Sequence, residues 1–96
     1  PDIEDLADSI PSADRVGTAL EKDDVYHRAP SYLSSDQLAQ GSVFSIVGKD
    51  GANYTLLQVE GGVNGTDGIF EYIVNAAGEV THQRFKAGGI INGIPN

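Results

Sequence analysis

From Ser42 onward the apolar residues recur with a period of two, and the runs are broken by clusters of glycine, asparagine and aspartate. Such alternation sends successive side chains to opposite faces of a strand, so it demands a sheet with one face packed against something else. Val43–Val47 and Tyr54–Val59 read as two strands joined by GKDGAN, a loop rich in turn formers. EGGVNGTDG, with four glycines and an Asn-Gly pair, reads as the next hairpin loop. Ile69–Val74 is a third strand, Asn75-Ala-Ala-Gly78 a turn, and Val80–Phe85 a fourth strand. The tail GGIINGIPN offers a short edge strand, against which Pro95 and its glycines weigh. Consecutive strands joined by short turns pair as an antiparallel meander.

The first forty residues have a different period. Ile3, Leu6, Ala7 and Ile10 form one stripe on a helix, with Asp2, Glu4 and Asp5 crowding its first turn and Pro11 stopping it. Ser12 is placed to cap a second helix running to about Lys22, with Val16 and Leu20 as its apolar pair and Gly17 weakening it. Residues 23–33, DDVYHRAPSYL, read as irregular, because Pro30 turns Ala29 away from helix. Ser34 and Gln37 make a capping-box pattern for a short helix over about 35–40, closed by Gly41. The fold class expected is α+β: N-terminal helices packed on a four- to five-stranded antiparallel sheet.

A chain of 96 residues carries one modest core. It has no cysteine, which removes disulfides, thiolate metal sites and a cysteine nucleophile. It begins with Pro1 and contains no methionine, so we read it as a piece of a longer polypeptide. No apolar run approaches the ~18 residues of a membrane span. The net charge of −8 opposes nucleic-acid binding in general. The charge is uneven, however. Residues 1–24 hold eight acids and two bases, for −6, and residues 25–96 hold six acids and four bases, for −2. Three of the four later bases, Arg28, Arg84 and Lys86, lie close in sequence to a histidine, so a locally positive pocket on an acidic body is open to the chain.

Two constellations carry chemistry. Tyr26-His27-Arg28 lies in the irregular segment, and Thr81-His82-Gln83-Arg84 lies on the fourth strand, where His82, Arg84 and Lys86 would stand in one row. Each sets a group that titrates near neutrality beside a permanent cation. Metal-free RNA cleavage needs those roles: a base for the 2′-hydroxyl, an acid for the leaving 5′-oxygen, and a cation for the non-bridging oxygens. His27 and His82 are the candidate acid and base, in either order. Arg28 and Arg84 are candidate phosphate ligands, with Thr81, Ser31, Lys86 and Tyr26 as further substrate-binding residues. The plainer reading makes the histidines surface residues and pairs the arginines with the abundant acids for little energy. It makes Tyr26, Tyr32 and Phe44 core or rim aromatics and the acidic residues 1–24 solvated helix faces. Two histidines without cysteine make no zinc pattern, the acids lack calcium-loop spacing, and no phosphate-loop or dinucleotide fingerprint occurs. No metal and no cofactor are expected.

Two longer stretches carry a resemblance. Residues 23–33 resemble a D-D-x-Y-H-R-A-x-S-F/Y block. Residues 56–74, followed by VTHQRF at 80–85, Gly88-Gly89 and Asn92-Gly93-x-Pro95-Asn96, resemble the ending LLQ-x-x-G-x-x-NG-x-x-G-x-FEYI…VTHQRF-x-x-GG-x-x-x-G-x-PN. Both are similar to the C-terminal toxin domains of filamentous-haemagglutinin-type exoproteins that effect contact-dependent growth inhibition. The resemblance covers residues 23–96 and leaves 1–22 as a helical or linker region. It implies a domain at the tip of a large secreted protein, delivered into the cytoplasm of a neighbouring bacterium and blocked by a cognate immunity protein. It implies a ribonuclease acting on tRNA in many members, some of which need elongation factor Tu as a helper. Acidity departs from the usual basic nuclease, and a helper that presents the RNA would relieve that. The alternatives are a toxin of other chemistry, such as a metal-dependent DNase, and a non-enzymatic adhesive tip.

Overall fold

The computed structural model describes residues 2–96. Four antiparallel strands pair in chain order: β1 (Ser42–Val47), β2 (Asn53–Val63), β3 (Thr66–Val74) and β4 (Val80–Ala87). The chain is α+β, as its periodicities predict, and the tail forms no fifth strand. The hairpin between β2 and β3 is tighter than EGGVNGTDG suggests. Only Asn64 and Gly65 turn, both at positive φ (51° and 81°), and the flanking residues pair as strand. Two residues at positive φ give the twist that suits a two-residue hairpin, so β2 and β3 extend almost to the turn.

Short helices cover one face of the sheet. They are α1 (Ile3–Ser9), α2 (Thr18–Glu21), α3 (Val25–Arg28) and α4 (Ser35–Leu38), with 3-10 turns over Ile10–Ser12 and Ala29–Tyr32. The α1 stripe works as its spacing implies: Leu6, Ala7 and Ile10 are buried, and Asp2 Oδ1 accepts the Asp5 N–H. They join Ala19, Leu38, Leu57, Val59, Phe70, Tyr72, Val74, Val80 and Phe85 in one core. The capping box at Ser34 and Gln37 closes in both directions, at 3.2 and 2.8 Å.

Two readings are corrected. The expected helix from Ser12 to Lys22 is only the turn Thr18–Glu21. Gly17 adopts φ +56°, and residues 14–16 instead join the outer side of β4. There Val80 N–H donates to Asp14 O at 2.9 Å and Val16 N–H to Val80 O at 3.0 Å. Those sheet bonds use donors and acceptors a helix would need, and Leu20 is left 69% exposed. The segment 23–33 is not irregular. Pro30 follows one turn of α-helix and sits inside the 3-10 turn, where its missing N–H costs nothing.

The other face of the sheet carries Leu56, Gln58, Ile69, Glu71 and Ile73, and the tail lies over it. Gln58 Oε1 accepts the N–H groups of Asn92 (3.1 Å) and Gly93 (3.0 Å), and its Nε2 donates to Ile94 O at 3.1 Å. Gly93, at φ +77°, lies against the Phe44 ring.

Candidate active site

β4 alternates as its sequence requires. Gln83 and Phe85 point into the core, while His82 and Arg84 are partly buried on the opposite face and Lys86 is exposed. Arg84 faces Glu71 across the ladder, so His82 is the diagonal neighbour of that glutamate. Glu71 is fully buried. Asn96 N–H donates to its Oε2 at 2.9 Å, Asn96 Nδ2 to its Oε1 at 3.1 Å and Gln58 Nε2 to its Oε1 at 3.2 Å. His82 Nε2 lies 3.7 Å from Oε2. Burial pushes the Glu71 carboxyl up, but the donors from His82, Asn96 and Gln58 outweigh it and hold the group below the ordinary glutamate range.

Glu71 ties acid stability to this site. A carboxyl lowered in the folded state contributes stability above its unfolded value of about 4.3, and loses it as pH falls through the folded value. Chemical unfolding of wild type followed below about pH 5 should therefore show a falling midpoint. Glu71→Gln, which cannot ionise, should be less stable at neutral pH and flatter in acid; an unchanged slope would exclude Glu71 as a source.

α3 brings the second histidine. The rings of His27 and His82 lie 6.3 Å apart, edge to face, although 55 positions separate them. Both are partly open, with side chains 14% and 22% exposed. Gln83 holds α3 in place from inside the core. Its Oε1 accepts from Arg15 Nε at 3.0 Å, and its Nε2 donates to His27 O at 3.0 Å and to Ser31 Oγ at 2.7 Å. Tyr26 stacks on Phe85 at 6.1 Å, and buried Tyr72 donates its hydroxyl to Pro30 O at 2.6 Å. A buried amide with every group satisfied fixes geometry, since any shift would strand a polar atom.

Each imidazole has a carboxylate. Asp24 Oδ1 accepts from His27 Nδ1 at 2.7 Å. Partial burial pushes Asp24 up, but the hydrogen bond and charge of His27 prevail and leave it lowered. With Nδ1 given to Asp24, Nε2 is the His27 nitrogen left to exchange a proton with a substrate. At His82, Thr18 Oγ1 stands 3.3 Å from Nδ1 and gives its one proton to Thr81 O at 3.1 Å. The hydroxyl is then the acceptor at Nδ1, so Nδ1 is the donor nitrogen there, while the buried Nε2 makes no hydrogen bond and has the Glu71 carboxylate 3.7 Å away. Arg84 Nε is buried without a hydrogen-bond partner.

The other predicted residues stand apart. Arg28 lines a depression with Asp23, Val25, Ala29 and Tyr32, which neither histidine enters. Ser31 is engaged by Gln83 on the core side of β4, and the Thr81 hydroxyl donates to Ile73 O at 3.3 Å. Sequence reasoning missed Asp24, Glu71, Thr18 and Gln83. Among the described residues, no three His, Asp or Glu side chains gather as a metal site, and no helix is long and apolar enough to cross a membrane. Comparison with models of known families, with curated proteins and with solved structures finds no match.

Proposed function

We propose that this chain is a metal-independent ribonuclease that cleaves RNA, tRNA foremost, by attack of a ribose 2′-hydroxyl on the adjacent phosphorus. The observation that carries the reading is the 6.3 Å approach of two carboxylate-paired imidazoles with unlike hydrogen-bond settings. His27 Nε2 takes the 2′-hydroxyl proton as O2′ bonds to phosphorus. The bond from phosphorus to O5′ breaks, and the leaving oxygen takes the Nδ1 proton of His82, displacing Thr18. One proton is taken and one given, leaving a 2′,3′-cyclic phosphate and a 5′-hydroxyl. Asp24 holds the His27 tautomer, and Glu71 steadies charge on His82. Arg84, its Nε unpartnered, is the cation for the non-bridging oxygens, with Lys86 at the open end of the row.

The resemblance of residues 23–96 supports reading the chain as a contact-dependent growth inhibition toxin, carried at the tip of an exoprotein and acting in a neighbour's cytoplasm. A cognate immunity protein would block it, and elongation factor Tu is the candidate helper for an acidic nuclease.

Total RNA incubated with the purified chain in EDTA, with and without elongation factor Tu, tests the reaction. Fragments ending in cyclic phosphate are expected. Cleavage silenced by EDTA would transfer the reading to a metal-dependent nuclease, and intact RNA under every condition would reject it.

A further inference from the structure

Among the described residues seven large hydrophobic side chains are strongly exposed, and four of them, Leu20, Val25, Tyr26 and Tyr32, fall between residues 20 and 32. That segment includes α3, which carries His27. Tyr32 is 74% exposed and Val25 57%. Both line an open depression of about 340 Å³ with Asp23, Arg28 and Ala29. Arg28 makes no ion pair and no side-chain hydrogen bond among the described residues, in a chain with 14 acids to choose from. An unpaired guanidinium beside an exposed phenol ring matches a ligand with a planar face and a negative charge. α3 is one turn long, about 6 Å, so its depression lies within a nucleotide's reach of the histidine pair.

We propose that this depression is a subsite for the nucleotide flanking the scissile phosphate, an inference that rests on the ribonuclease reading. Tyr32 stacks on the unpaired base, Val25 and Ala29 form its apolar floor, and Arg28 meets the next phosphate. Arg28 therefore serves the neighbouring phosphodiester and leaves the scissile one to Arg84. The substrate is single-stranded at this point, because a paired base offers no free face. A protein partner is the competing occupant, since tyrosine and arginine also anchor protein interfaces. The unpaired cation on an acidic body and the adjacency to His27 favour the nucleotide.

The test uses a fluorescein-labelled single-stranded 2′-deoxy oligonucleotide, which this route cannot cleave, together with the matching RNA. By anisotropy, Tyr32→Ala should weaken oligonucleotide binding about 5–150-fold, while Tyr32→Trp should restore it. Arg28→Ala should weaken binding and reduce the salt slope by about 0.7. Each variant should melt like wild type, because both side chains are exposed. If both alanine variants bind oligonucleotide and cleave RNA as wild type does, the subsite is overturned, the ribonuclease reading survives and the patch passes to a protein partner. If wild type cleaves no RNA but Tyr32→Ala still abolishes oligonucleotide binding, the subsite stands and the catalytic assignment falls. If wild type binds no oligonucleotide, the subsite is overturned.

Discussion

Alanine at position 27 is expected to lower the rate of RNA cleavage by about 10²–10⁴-fold, near 3–5 kcal/mol of barrier, while the protein melts close to wild type. The fold should survive because the contacts that seat α3 are not made by the imidazole. Gln83 bonds the His27 carbonyl, and Tyr26 stacks on Phe85. Position 82 needs a gentler change, since alanine would strip a neighbour from buried Glu71. His82→Gln keeps a donor there and should lose a similar factor. The double variant should be little worse than either single one, because groups acting in one step do not add. The measurement is initial rate on a defined tRNA at several pH values beside a thermal melt. Full activity in His27→Ala would end the proposed mechanism, and loss of activity together with loss of the melt would show a purely structural histidine.

The second large effect is on stability. Phe85 is 1% exposed at the junction of sheet and helices, 5.0 Å from Phe70 and 6.1 Å from Tyr26. Phe85→Ala should cost about 3–5 kcal/mol through lost transfer energy and the cavity left behind. A domain of this size has roughly 5–15 kcal/mol in total. Urea unfolding should show the midpoint falling by a large fraction with little change in slope. A change under about 1 kcal/mol would mean that the surroundings collapse into the gap, which a core held by the buried Tyr72–Pro30 bond is built to resist.

The sheet was legible because alternation and turn residues agree over four strands, and α4 because its capping box is a local device. The second helix was not legible. What prevents it is the pairing of residues 14–16 with Val80, a contact across more than sixty positions that no local pattern announces. The row His82, Arg84, Lys86 followed from alternation alone, whereas its meeting with His27 depends on Gln83. That glutamine reads as one more polar strand residue until its partners are known. Glu71 was closer to hand. Had Asn64-Gly65 been taken as a two-residue turn, counting outward from Val63 opposite Thr66 puts Gln58 opposite Glu71. A polar pair inside so apolar a hairpin was the available signal, obscured by reading the glycines around it as loop. Arg28 lines a different depression for a simpler reason: neighbours on a helix point more than a quarter-turn apart, so sitting beside a histidine does not make a residue its partner.

Gln83 and Thr18 stitch the first quarter of the chain to its last strand, and the histidines meet on that seam. In an unfolded chain, two residues 55 positions apart wander at a typical separation of roughly 40 Å, against 6.3 Å in the folded protein. No isolated hairpin or helical fragment holds both rings at working distance. The paired-ring arrangement therefore exists only once the beginning and end of the domain have found each other.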